Sequence, residues 1–142
     1  MLQFELFAAC PTPPEILWGI VGDLNRLPEW TDASGVEAPP DQPRVNDRFI
    51  TLHGDHHLEW TVITAEPMLL EAKADTACGR VGLGARVSQD PAGSRLVLAG
   101  MLKPSVGRLR ARTIELPRLR RRGDEWSARA VRLAVQEANP GS

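Results

Sequence analysis

The stretch FELFAACPTPPEILWGIVGDLNRLPEW, Phe4 to Trp30, decides the architecture of this chain. Phe4–Ala9 sets Phe4, Leu6 and Ala8 on one side and Glu5 on the other, the period of a strand. Pro11, Pro13 and Pro14 then force a corner, because proline has no N–H to continue a ladder and a fixed φ. Thr12 is placed as an N-cap, with Pro13 at the first helical position and Glu15 three residues on completing a capping box. The helix Glu15–Leu24 carries Ile16, Leu17, Ile20, Val21 and Leu24 at helical spacing, so one face is committed to a sheet. Leu27, Pro28, Glu29 and Trp30 close a second short helical turn. A strand that feeds two short helices through a corner is how a chain begins when one curved sheet wraps around something.

Working outward, Ala38–Asp47 reads as a loop, because Pro39, Pro40 and Pro43 exclude regular hydrogen-bonded structure. Arg48–His53, His57–Glu66, Leu69–Thr76, Gly79–Gln89 and Ser94–Lys103 alternate in character. Turn residues separate them: Gly54 and Asp55, Pro67, Cys78 and Gly79, then Asp90, Pro91 and Gly93. The expectation is an antiparallel meander. From Ser105 to Ala138 the period becomes helical, with Leu109, Trp126, Ala130, Leu133 and Ala134 as apolar anchors and Pro117 as a kink or break.

The 142 residues fit one domain, assigned to 1–138 with a tail at 139–142. A net charge of -1 argues against a surface wholly committed to nucleic acid. No apolar run approaches the roughly 18 to 20 residues that span a bilayer, and the first residues lack the basic flank of a signal peptide, so the chain reads as cytoplasmic. Cys10 and Cys78 are too few for a zinc site or a disulfide framework and read as small buried apolar residues.

Element order and particular residues together resemble the helix-grip fold of the SRPBCC superfamily, which includes START domains and birch-pollen-allergen-like proteins. The residues are Phe4 to Ala8 before Pro14, Glu15, Ile16, Leu17 and Trp18; then Asp23, Leu27, Pro28 and Trp30; then Val45 to Phe49; then Trp60, Val62, Glu66 and Pro67. That set looks like the polyketide cyclase/dehydrase family, with Asn46 where relatives often carry glycine. The resemblance implies an α+β fold: a seven-stranded curved antiparallel sheet around a long C-terminal helix, with two short helices after strand 1. It also implies a cavity between sheet and helix.

Taking the strand face that keeps charges out, the inward set is Phe4, Leu6, Ala8; Ile50, Leu52; Leu58, Trp60, Val62, Thr64; Leu70, Ala72, Ala74, Thr76; Val81, Leu83, Ala85, Val87; Leu96, Leu98, Gly100 and Leu102. None is ionisable, so this interior offers no general acid or base. The small residues Ala72, Ala74, Ala85 and Gly100 leave room. The expected ligand-binding residues are Trp60, Val62, Leu70, Ala72, Leu83, Ala85, Leu98, Gly100 and Trp126. His53, His56 and His57 surround Asp55 and could in principle hold a metal, but a Gly54–Asp55 hairpin turn puts them at an exposed tip, so neither metal nor cofactor is expected.

Between Arg108 and Arg132 stand nine arginines against three acids. Their stems can cover apolar surface while their heads pair with the acidic outer face of the sheet, and with no interleaved aromatic except Trp126 the helix is not expected to bind nucleic acid. The leading functional reading is a carrier or sensor of a small hydrophobic molecule, with homodimerisation open. The alternatives are a polyketide cyclase or aromatase-like enzyme using the same cavity, aided by loop residues Asp23, Asn25, Arg26, Glu29 and Asp32, and an interaction protein working through the arginine-rich helix.

Overall fold

Alternating burial along Leu2–Cys10 forms β1, with Leu2, Phe4 and Leu6 inside and Gln3, Glu5 and Phe7 outside. The computed structural model describes residues 2–77, 79–104 and 115–140. Cys78, Leu109, Arg108, Arg110 and Arg112 lie outside the described residues. After β1 come α1 (Pro14–Val21), a 3-10 turn (Leu24–Arg26) and α2 (Leu27–Trp30). The strands β2 (Gly35–Glu37), β3 (Arg48–His53), β4 (His56–Glu66), β5 (Leu69–Thr76), β6 (Gly79–Asp90) and β7 (Gly93–Pro104) follow, and α3 (Leu116–Ala138) closes the chain.

The seven strands form one antiparallel sheet in the order β1-β7-β6-β5-β4-β3-β2. Its register carries one inner face across the sheet, because cross-strand partners point to the same side. Phe4 lies opposite Gly100, Gly100 opposite Leu83, Leu83 opposite Ala72 and Ala72 opposite Val62. Against this face α3 lays a stripe of Gly123, Trp126, Ser127, Ala130 and Ala134, all buried and at helical spacing. Gly123 permits the close approach: a Cβ there would come within 2.8 Å of Leu6 Cδ1. At Gly100 a Cβ would meet the Phe4 ring at 2.4 Å, so the aromatic ring occupies the space that glycine leaves. The sheet, the long helix and the short helices are those of the helix-grip fold.

Several local expectations are corrected. Thr12 is not the cap of α1; Pro13 stands at that position with Pro14 at the start, and no side chain caps the helix. The Thr12 side chain is instead buried, 3.2 Å from Cys10 Sγ, and Cys10 is a buried free thiol. The helix stops at Val21 rather than Leu24, where the chain tightens into the 3-10 turn capped by the Asp23 carboxylate. Residues 35–37, read as part of no element, form the edge strand β2 on β3. Pro117 does not break the final helix; it sits in its first turn, where a missing N–H is harmless. Asn46 adopts φ 75°, the left-handed conformation expected where relatives carry glycine.

The phase of β3 is also corrected. Phe49 pairs with Trp60, Thr51 with Leu58 and Ile50 with Glu59, so Phe49, Thr51 and His53 face inward while Ile50 and Leu52 face out. On β4 an irregularity between Val62 and Thr64 shifts the alternation: Thr64 pairs with Glu71 on the outer side and Ala65 with Leu70 on the inner. An extra residue in one strand does this because it moves every later side chain to the opposite face.

Candidate functional site

Between the inner face of the sheet and the α2–α3 side lies a cavity of about 110 Å³. Its apolar walls come from Phe4, Phe49, Trp60, Leu70, Ala72, Leu83, Ala85 and Leu98 on the sheet. Val21, Leu24, Leu27, Trp30 and Ala33 close it from the short helices and the loop after them, and Gly123 and Trp126 from α3. Of the nine residues expected to contact ligand, Trp60, Leu70, Ala72, Leu83, Ala85, Leu98 and Trp126 line this space. Val62 is fully buried in the core cluster of Phe49 and Trp60 without reaching the cavity, and Gly100 is covered by Phe4.

Trp60 is fixed twice. Its ring stacks on Phe49 with centroids 6.0 Å apart and planes 8° from parallel, and its indole N–H donates to Thr51 Oγ1 at 2.9 Å. Thr51 Oγ1 lies in turn 2.9 Å from His53 Nε2. A hydroxyl has one proton and two lone pairs, so Thr51 can accept from Trp60 and donate to a neutral imidazole.

The corrected phase of β3 gives the cavity a polar end. His53, Thr51, Thr31 and Asp32 line it, which overturns the expectation of an interior without ionisable groups. Arg122 Nε on α3 donates to Asp32 Oδ2 at 2.9 Å, Arg129 Nη1 donates to the Thr31 carbonyl at 2.8 Å, and Arg129 Nη2 stands 3.9 Å from Asp32. The Arg122 guanidinium also covers Trp126, 5.5 Å from the ring centroid. These arginines therefore pair with the loop after α2, not with the outer face of the sheet as expected. Partial burial pushes the Asp32 carboxyl up, but the Arg122 hydrogen bond, the nearby Trp126 N–H and the charges of Arg122 and Arg129 outweigh it and hold Asp32 below the ordinary carboxylate range. Burial, reinforced by repulsion from Arg122 and only partly offset by Asp32, pushes the His53 imidazole below its usual value and keeps it neutral near pH 7.

Other loop candidates do not reach the cavity wall. Asp23 accepts from the Asn25 backbone, Asn25 Nδ2 donates to the Pro39 carbonyl, and Arg26 bonds to Glu29 and to Glu137 near the end of α3. His56 and His57 are exposed at the β3–β4 hairpin, whose Gly54 has φ 66°. Among the described residues no group of three or more His, Cys, Asp or Glu side chains could hold a metal ion, and no helix is long and apolar enough to cross a membrane.

The architecture recurs in solved structures. Protein MLL2253 from Mesorhizobium loti shares 16% identity at a TM-score of 0.77, covering 95% of this chain and 98% of its own. Ara h 8.0201 shares 10% at a TM-score of 0.77, covering 95% and 98%. DynU16, from the dynemicin biosynthetic locus, shares 16% at a TM-score of 0.71, covering 92% of this chain and 46% of DynU16. At such identities the likeness is one of fold, and the fold is the helix grip. No family model and no curated protein matches the chain.

Proposed function

We propose that the protein binds a small hydrophobic molecule in the cavity between sheet and α3, as a carrier or sensor. The observation that carries this reading is the cavity itself: apolar along most of its wall, with polar groups gathered at one end. Such a division suits a ligand whose body is bound by burial and whose orientation is set by a few polar contacts. Trp60, Leu70, Ala72, Leu83, Ala85, Leu98 and Trp126 would contact the body. Native mass spectrometry of the purified protein tests it directly, by the presence of a co-purified small molecule released on unfolding. Thermal shift with apolar probes gives a second measure, since a ligand that binds only the folded state raises the melting temperature. A protein that carries nothing and responds to no probe refutes the reading.

One observation favours a second reading, a cyclase or aromatase-like enzyme in the same cavity. His53 puts an imidazole at the polar end, a group able to take a proton from a bound carbonyl compound at Nε2 once the Thr51 hydroxyl turns away from it. The place of DynU16 in a biosynthetic locus supports the same direction. Turnover of a candidate polyketone, lost in His53→Gln with binding retained, would establish it.

A further inference from the structure

Three of the four tryptophans line the cavity, and they differ in one respect. The Trp60 indole N–H is bonded to Thr51. That of Trp126 lies beside the Asp32 carboxylate, whereas that of Trp30 is buried with no hydrogen-bond partner, in a residue only 5% exposed. Indole N–H is a donor only, and a buried donor is ordinarily paired, so Trp30 calls for an acceptor.

The acceptor's charge follows from the surroundings. Arg122 and Arg129, which bond to Asp32 and the Thr31 carbonyl, do not line the cavity, so no guanidinium stands in its wall to take a carboxylate. Asp32 itself lines the same end and would repel an anion. A ligand offering only donors would leave the Trp30 indole unpaired. Size follows from the volume: about 110 Å³ is somewhat less than the 150 Å³ or so of an engineered apolar cavity that holds benzene, so one ring fits and two do not.

Resting on the hydrophobic-ligand reading, we infer that the ligand is a neutral single-ring carbonyl compound whose oxygen accepts from the indole N–H of Trp30 while its ring lies among Leu70, Leu83 and Ala85. The test compares acetophenone, ethylbenzene and benzoate on the full chain by calorimetric titration, with 15N-labelled indoles followed by NMR. Acetophenone should bind about tenfold more tightly than ethylbenzene, the difference one buried hydrogen bond makes. Its addition should shift the Trp30 indole N–H downfield and leave that of Trp18 in place. Trp30→Phe should lose the advantage of acetophenone, with ethylbenzene affinity kept. If that variant fails to fold, the indole shifts in the unsubstituted protein decide. Equal affinity for acetophenone and ethylbenzene overturns this inference and leaves the hydrophobic-ligand reading standing. Benzoate binding more tightly than acetophenone overturns it in favour of guanidinium recognition. No binding by any of the three overturns both.

Discussion

Ala85→Leu separates an open cavity from a packed core. Ala85 is 7% exposed, lies opposite Leu70 and Leu98 on the inner face, and lines the cavity. At about 24 cal/mol per Å³, filling the whole 110 Å³ would be worth about 2.6 kcal/mol. One leucine fills only part of it, and fixing its rotamer costs about 0.5 to 1 kcal/mol, so the expected change lies between zero and about 1.5 kcal/mol of stabilisation. In a closed core the same substitution destabilises by about 1 to 3 kcal/mol. The two outcomes differ in sign, and urea denaturation at constant m-value resolves them. Ligand or probe binding should be lost at the same time. Gly100→Ala serves as the contrast: its Cβ would stand 2.4 Å from the Phe4 ring, so it should destabilise whether or not the cavity is open. Destabilisation of Ala85→Leu by more than about 1 kcal/mol would mean that the leucine has no room, and the reasoning would fail.

Thr51→Val should cost about 1 to 3 kcal/mol by stranding the buried Trp60 N–H, and Thr51→Ser should recover most of it; chemical denaturation of both checks this. The lowered pKa of His53 means that the unfolded chain binds its proton first, so this group's contribution to stability is full above the ordinary histidine value of 6.5 and is lost as pH falls from there through the lower folded-state value. Denaturation curves between pH 5 and 8 should therefore slope less in His53→Gln than in the parent, and identical slopes would contradict the burial assigned to His53. Arg26→Ala removes the bridges to Glu29 and Glu137 that join α2 to the end of α3, and because these groups are partly exposed the loss should stay below about 1 kcal/mol by thermal denaturation.

The fold was legible because its signals are local and agree with one another. The corner at Pro11 to Pro14, the apolar stripe through Leu17, Ile20 and Val21, and the turns at Gly54 and Gly93 each report one element without reference to the rest. What failed locally failed where two readings had equal support. Thr12 and Pro13 both suit a helix start, and burial of Thr12 beside Cys10 decided between them. Residues 35–37 are too few to show a period; their strand exists only because β3 offers an edge.

The site was legible in its apolar part and hidden in its polar part, for a reason located in β3. Both faces of that strand carry apolar residues, Phe49 on one and Ile50 and Leu52 on the other, so alternation alone cannot choose the phase. The choice is made across strands, where the Phe49 ring meets Trp60, and it turns His53 inward. Arg122 and Asp32 are 90 residues apart, so no spacing in the sequence could announce their hydrogen bond. The consequence for chemistry is that the two ends of the cavity can be perturbed separately. Ala85→Leu acts on volume within the apolar wall, whereas Trp30→Phe keeps an aromatic ring and removes one donor. Their effects on binding should then multiply if volume and hydrogen bonding act independently, and a ligand sensitive to volume alone would show that the unpaired Trp30 indole plays no part in its recognition.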